Sequence, residues 1–119
     1  MLQCMSDLEI REPTFLVLTS LAGGRKHGYA LIKDAAELSD GRVQLKVGTL
    51  YAALERLGAQ GLVSTDGEEV VGGRLRRYYV LTEAGADVLE RHARQLASTA
   101  QSALARLRSH PPQQFGSFA

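Results

Sequence analysis

The chain has little cysteine, tryptophan or net charge. Its 119 residues include one cysteine and no tryptophan, and acidic and basic residues nearly cancel to a formal charge of +1. Because Cys4 stands alone, an internal disulfide is excluded and a reducing, cytoplasmic location is expected. No run of about 18 apolar residues occurs, so a membrane-spanning helix is excluded. Charges between Asp7 and Glu12 interrupt the N-terminal stretch, so we expect neither a secretory signal nor a membrane partner.

Signatures of catalysis and of metal binding are also missing. The run GGRKHG, which starts at Gly23, lacks both the lysine-serine/threonine ending and the preceding strand of a phosphate-binding loop. No Ser/His/Asp or Cys/His arrangement is evident, and His27 has no second metal ligand spaced nearby. The sequence therefore predicts no enzyme, no cofactor and no metal site, and it favours a capping or packing role for His27.

Helical patterns occupy the first half of the chain. One begins near Pro13 and stops at the pair Gly23-Gly24, and a second ends at Ser39-Asp40-Gly41. A short extended link over residues 43–45 could pair as a small strand. The third pattern, KVGTLYAALERL, starts at Lys46, and its expected core side holds Val47, Leu50, Leu54, Leu57 and Gly61.

The other side of the third helix is unusually small. It carries Gly48, Ala52 and Ala59 beside Glu55 and Arg56, with Thr49 and Tyr51 at its flanks. A major groove about 12 Å wide barely admits a helix, so small residues would let the backbone approach DNA while Lys46, Thr49 and Tyr51 reach phosphates or base edges. An exposed, alanine-rich helix without function is the alternative, since alanine is an excellent helix former.

Two β-rich runs joined by glycines follow the third helix and predict a hairpin. The second run carries Arg74, Arg76 and Arg77, which can bind phosphate even on a nearly neutral protein. A solvated charged edge would explain this cluster equally well. Alternation along a strand places Arg76 and Arg77 on opposite faces, and it places Tyr79 and Leu81 together on the core face.

The last helix, for which Thr82 is a good N-cap, has the most regular apolar pattern. Its stripe consists of Ala86, Leu89, Ala93, Leu96, Ala100, Ala103 and Leu107. This a/d spacing is typical of a helix that packs along another long helix. We expect that helix to come from a second copy of the chain, with all members from Leu89 onward as dimerisation residues, because one small domain would struggle to cover the stripe.

The order of helix, helix, helix, hairpin and long helix predicts a mainly α fold with a small β-hairpin. It is the plan of a winged helix-turn-helix with a long C-terminal dimerisation helix. We expect a DNA-binding domain over residues 1–82, a dimerisation helix over residues 83–108 and a disordered tail over residues 109–119.

Four sequence pieces also occur in the order and at the spacing of a known family. They are His27-Gly28-Tyr29-Ala30-Leu31, Gly48-Thr49-Leu50-Tyr51, LERL from Leu54 with GLV from Gly61, and GRLRRYYVLT from Gly73. Together they resemble the PadR family of winged-helix transcriptional regulators, in its short-chain branch. The chain departs from the family pattern at Ala52 and Leu75, where proline is usual.

This resemblance implies a homodimeric DNA-binding repressor that responds to small molecules. It implies that Tyr29, Lys46, Thr49 and Tyr51 lie near DNA and that Arg74, Arg76 and Arg77 lie in the wing. For Tyr29, packing at the helix start is an equal alternative.

The predicted function is a dimeric, sequence-specific transcriptional regulator, a repressor released by a small-molecule effector. Two recognition helices would lie about 34 Å apart, one DNA turn, on a palindromic operator of double-stranded DNA. A winged-helix module that binds only protein is the alternative, because fold does not settle function. An effector would enter between the long helix and the first helix of the other subunit, near Phe15, His92 and Leu96.

Overall fold

The computed structural model describes residues 10–110, so Cys4 and residues 111–119 of the expected tail lie outside the described residues. In chain order the elements are α1 (Glu12–Ala22), β1 (Lys26–His27), α2 (Gly28–Leu38), α3 (Val47–Ala59), β2 (Val63–Val71), β3 (Arg74–Leu81) and α4 (Glu83–Arg108). The predicted winged helix-turn-helix with a long final helix is confirmed. Within residues 10–110, no helix is long and apolar enough to cross a bilayer.

The predicted helix boundaries rest on specific capping contacts. The Thr82 hydroxyl accepts a hydrogen bond from the backbone N–H of Gly85 at 3.0 Å and so caps α4. His27 caps α2 in the same way, because its Nδ1 accepts from the N–H of Ala30 at 3.4 Å. Gly61 has a φ of +76°, and its N–H donates to the Gly58 carbonyl while the Leu62 N–H donates to the Leu57 carbonyl, which closes α3 in a Schellman motif. The capping roles predicted for Thr82, His27 and Gly61 are confirmed.

The sheet has three antiparallel strands in the order β1-β3-β2, one more than the predicted hairpin. The extra strand is β1, in which Lys26 pairs with Tyr79 and His27 with Tyr78. The prediction that residues 43–45 pair as a strand is wrong, because β1 occupies the free edge of β3. That link instead continues from a turn in which the Val43 N–H donates to the Ser39 hydroxyl at 2.9 Å.

The strands β2 and β3, with the turn between them, form the wing. Its turn residues Gly72 and Gly73 both have positive φ, as a tight hairpin turn requires. A bulge interrupts the register between Thr65 and Glu68, where Gly67 has a φ of +90°. Beyond the bulge Glu68 lies opposite Arg77, so the bulge decides which charged residues face each other across the wing.

The core lies between the first three helices and the sheet. Its buried members are Val17, Leu18, Leu21, Leu31, Leu50, Leu54, Leu57, Leu62, Val63 and Tyr79. The predicted core positions Leu50, Leu54 and Leu57 are confirmed, and Leu81 packs against the same core. Val47 was wrongly predicted to be buried and is 61% exposed, because it is the first residue of α3 and extends beyond the core.

Among residues 10–110, only the first half of α4 packs on the other elements. Gly85 is buried, Val88 and Leu89 pack against the core, and His92 meets Phe15 of α1. Every residue from position 94 to position 108 is exposed. The apolar stripe of α4 is therefore covered within the chain only as far as Ala93.

Candidate nucleic-acid interface

Within residues 10–110, no other element covers the start of the exposed face of α3. Lys46, Thr49 and Tyr51 are exposed, and a methyl group at Gly48 would have no atom within 4 Å. Lys46 is the N-cap residue, but no side chain caps this helix. The first backbone N–H groups of α3 therefore remain available to an outside acceptor, and the helix dipole favours an anionic one.

Five of the seven predicted DNA-binding residues line one recess. This recess, here called the wing recess, has a volume of about 470 Å³ and lies where the starts of α2 and α3 approach β3. Its predicted members are Tyr29, Tyr51, Arg74, Arg76 and Arg77, and its other members include His27, Gly28 and Leu75. The structure thus brings together side chains from three separate sequence segments. Lys46 and Thr49 lie outside the recess, on the exposed start of α3.

Tyr29 and Tyr51 reach the wing recess for different reasons. Tyr29 is 75% exposed, so packing at the helix start, the alternative for this residue, does not occur. Tyr51 lies against Gly28, where an added methyl group would overlap the tyrosine hydroxyl. Gly28 is therefore a further site residue, and its sequence signal is its place in the segment His27-Gly28-Tyr29-Ala30-Leu31 that resembles the family.

A second recess continues the first along α3. This helix recess, of about 590 Å³, lies between α3 and the wing and is lined in part by Tyr51, Glu55, Gly58, Arg77 and Tyr79. Tyr51 and Arg77 border both recesses. The two recesses are therefore neighbours beside α3, with Tyr51 and Arg77 as their shared lining.

The three wing arginines are not equivalent. Arg77 Nε lies 2.9 Å from Glu68 Oε2, and this hydrogen bond raises the pKa of the guanidinium above its ordinary value. Arg74 is exposed and Arg76 is half-buried, and within residues 10–110 neither makes an ion pair. Two arginines are thus available to an anion, whereas the third already has a carboxylate partner.

A cluster of contacts fixes the wing to the start of α2. The Tyr78 ring meets His27 edge-on at 5.5 Å, and the Arg25 guanidinium lies 4.0 Å above the same ring. Arg25 also donates to the carbonyl oxygen of Asp66 at 2.7 Å. Burial lowers the pKa of His27, the charge of Arg76 lowers it further, and Glu69 opposes the shift. Sequence patterns gave no sign of this role for Arg25, because its contacts lie far along the chain.

The predicted dimerisation residues divide into two groups. Leu89 and Ala93 are half-buried within the chain, whereas Leu96, Ala100, Ala103 and Leu107 are exposed. Leu104, which the sequence analysis left out, is 57% exposed and widens the apolar surface. The exposed group extends along the part of α4 that, among the described residues, packs against no other element.

The three residues predicted near an effector lie close together within one chain. The rings of Phe15 and His92 are 5.1 Å apart in an edge-on contact, and Leu96 follows one helical turn later at 45% exposure. The hypothesis placed α1 and α4 of different subunits against each other. In the structure the contact between Phe15 and His92 joins α1 and α4 of the same chain.

Comparison with known proteins gives matches to transcriptional regulators. The model of the transcriptional regulator PadR-like family matches residues 17–91. The transcriptional regulator Rv3488 of Mycobacterium tuberculosis is 38% identical over 88 residues, which cover 74% of this chain and 78% of that protein. Two other curated relatives are much longer, and the chain spans 24% and 39% of their lengths.

Solved structures share the fold. A PadR family transcription regulator from Clostridium difficile R20291 matches with a TM-score of 0.68 and 26% identity, over 82% of this chain and 99% of that chain. Bacillus subtilis PadR in complex with operator DNA matches with a TM-score of 0.62 and 21% identity, over 71% of this chain and 48% of that chain. At this level of identity, the second likeness concerns the fold alone.

Proposed function

Because the chain belongs to the PadR-like family of transcriptional regulators, we propose that it binds duplex DNA as a dimer, through α3 and the wing. The family consists of regulators, which confirms the prediction that the chain is not an enzyme. We expect it to work in the cytoplasm, where a bacterial-type regulator meets chromosomal DNA.

The wing recess is the single observation that carries the DNA-binding proposal. Three arginines and two tyrosines surround it, next to a helix with a small exposed face. Guanidinium groups suit phosphate oxygens because their donors are planar and can bind in pairs, and tyrosine hydroxyls add further donors. A module that binds only protein has no need of this arrangement. The fold shared with Bacillus subtilis PadR, which is in complex with its operator DNA, further supports the proposal.

In the proposed complex, α3 enters the major groove and the wing holds the backbone. Gly48 and Ala52 let the α3 backbone approach the bases, while Lys46 and Thr49 reach base edges or the nearest phosphates. Arg74 and Arg76 neutralise phosphates at the wing. Base contacts from α3 would supply sequence specificity, and wing contacts would supply most of the salt-dependent affinity.

Dimerisation would occur through the outer half of α4. A two-stranded pairing of the exposed stripe would bury Leu96, Leu104 and Leu107, which stabilises association through the hydrophobic effect. Such a pair would hold two α3 helices about 34 Å apart, the spacing that a palindromic operator presents. Division of the chain into a DNA-binding domain over residues 1–82 and a dimerisation helix over residues 83–108 follows from this proposal.

Regulation would depend on the promoter that the dimer binds and on the effector that releases it. A dimer that occupies a promoter blocks transcription, so the proposed role is repression. A small-molecule effector would bind beside the contact between Phe15 and His92, with Leu96 at its edge. Because α1 and α4 meet there, a bound molecule would change the angle between the paired helices and the DNA-binding part.

The experiment that tests DNA binding exploits the difference between the arginines. Selection from random duplexes gives a bound fragment, and anisotropy then measures its Kd as salt is varied. Changing both Arg74 and Arg76 to alanine removes two phosphate contacts per subunit, so the slope of log K against log salt should become shallower by roughly 3 to 4 units. The matched control changes Arg106 and Arg108 to alanine, which removes the same charge from the far end of α4.

Two outcomes would contradict the proposal. If the unaltered protein binds no duplex at low salt, the protein-binding alternative is favoured. If the wing variant and the α4 control lose affinity equally, the effect comes from net charge and the wing is not the contact surface.

A further inference from the structure

The wing balances its own charge. Its three arginines on β3 are matched by three acids on β2, namely Asp66, Glu68 and Glu69. Each acid has a specific partner: Asp66 lies 3.7 Å from Arg25, Glu68 is paired with Arg77, and Glu69 accepts a 2.7 Å hydrogen bond from the Tyr78 hydroxyl. A surface that only attracts phosphate would not need a strand of carboxylates beside it.

Of the three wing acids, Glu68 is the one that pairs with an arginine bordering both recesses. It is directly opposite Arg77 in the strand register, so the backbone pairing holds the two side chains together. Arg77 in turn borders both recesses and is the only wing arginine that lines the helix recess. The pair is about half exposed, with 52% for Arg77 and 46% for Glu68, so a phosphate can compete for the guanidinium.

We propose that Glu68 is a specificity-determining residue that restrains Arg77 and so limits binding to DNA of the wrong sequence. This inference rests on the proposed function. Glu68 acts in two ways, because it occupies the Nε donor of Arg77 and places a negative charge beside any phosphate that approaches the guanidinium. Both effects oppose a contact that carries no sequence information.

The restraint acts more strongly on non-operator DNA for a physical reason. Binding to arbitrary sequence is almost entirely electrostatic, and the protein can shift along the backbone until every free cation meets a phosphate. On the operator, base contacts from α3 fix the register, so a freed Arg77 cannot move to a better position. Releasing Arg77 should therefore strengthen arbitrary binding more than operator binding.

The test uses Glu68→Gln, which keeps the size of the side chain and removes its charge. Kd is measured by anisotropy for the duplex enriched by selection and for a scrambled duplex of the same length and composition, over a range of salt. At low salt we expect the Kd for the scrambled duplex to fall about fivefold and the Kd for the selected duplex to fall less than twofold. For the scrambled duplex, the slope of log K against log salt should become steeper by roughly 1 to 2 units.

Two further variants identify the cause. Glu90→Gln breaks an exposed pair of similar geometry, in which Glu90 lies 2.8 Å from Arg94 on α4, and it should leave both affinities unchanged. In the presence of Arg77→Ala, the Glu68→Gln change should lose most of its effect on scrambled DNA. A gain that persists without Arg77 would overturn the proposal, because general charge removal would then explain it.

The remaining outcomes are equally decisive. Equal tightening on both duplexes, no change, or weaker binding of Glu68→Gln would each overturn the selectivity role. If the unaltered protein binds neither duplex, the proposed function fails first, and this result is distinct from a failure of the Glu68 inference.

Discussion

The start of α4 packs so closely on the turn before β2 that one substitution there should change the stability of the protein. Here the start of α4 lies beside the turn between α3 and β2, where two hydrogen bonds join Thr82 to the turn and a third caps α4. The Thr82 N–H donates to the Leu62 carbonyl at 3.1 Å, the Thr82 hydroxyl donates to the Gly61 carbonyl at 2.7 Å, and the Gly85 N–H donates to the Thr82 hydroxyl at 3.0 Å. These bonds bring the backbone of Gly85 against that of Leu62.

Changing Gly85 to alanine should destabilise the protein markedly. The new methyl group would overlap the Leu62 carbonyl oxygen and lie 2.8 Å from Leu81 Cδ1. Since the first of these is a backbone atom held by the Thr82 hydrogen bond, no side-chain rotation relieves the overlap. Overpacking of this kind lowers the free energy of unfolding by about 2–3 kcal/mol. For a chain of this length, we expect the Tm to fall by roughly 8–12 °C.

The matched control is the same substitution at Gly48. An added methyl group there meets no atom within 4 Å, and alanine restricts the unfolded chain more than glycine does. Gly48→Ala should therefore raise the free energy of unfolding by about 0.4–1 kcal/mol. Circular dichroism during thermal and urea unfolding, at one fixed protein concentration, measures both variants. A Gly85→Ala protein as stable as the unaltered one would refute the described packing of α4 on Leu62.

Two further predictions concern the dimer and the effect of pH. Leu96→Asp places a charge in the proposed α4 pairing and should weaken self-association by at least about 100-fold, as measured by light scattering after gel filtration. The control is Ser98→Asp, which adds the same charge elsewhere on the exposed helix. An intact Leu96→Asp dimer would contradict the pairing. Burial lowers the folded-state pKa of His27 below the ordinary value of 6.5, so the unfolded chain binds more protons and stability should fall as the pH drops below 6.5. His27→Asn keeps an oxygen that can cap α2 but has no titratable group, so the free energy of unfolding measured in urea should depend less on pH. If that free energy changes equally with pH in both proteins, the role of His27 is contradicted.

The elements with local signals were predictable from the sequence. The spacing of Leu50, Leu54 and Leu57 specifies α3, the glycine pair Gly72-Gly73 specifies the wing turn, and the heptad stripe specifies α4. In each case the pattern and its structural consequence lie within a few residues of each other. Part of the candidate site was predicted from the same patterns, because α3 and the arginine run are continuous segments, whereas Tyr29 was assigned only through the family resemblance.

Features that depend on distant parts of the chain were not predictable in this way. A two-residue strand at Lys26–His27 has no periodicity, and only its pairing with β3 makes it a strand. A helical wheel could not reveal that Val47 lies beyond the edge of the core. The difference between Arg77 and its neighbours depends on the bulge at Gly67, which shifts the register and places Glu68 opposite Arg77.

The half of α4 that lies in solvent has a consequence for gene dosage. If the chain binds an operator only as a dimer, the occupancy of the operator at low expression rises with the square of the chain concentration, because dimerisation follows mass action. A cell that halves its supply of this polypeptide would then lose well over half of its bound promoters. Through dimerisation, the exposed leucines of α4 would thus make transcription of the regulated genes respond steeply to the concentration of the chain.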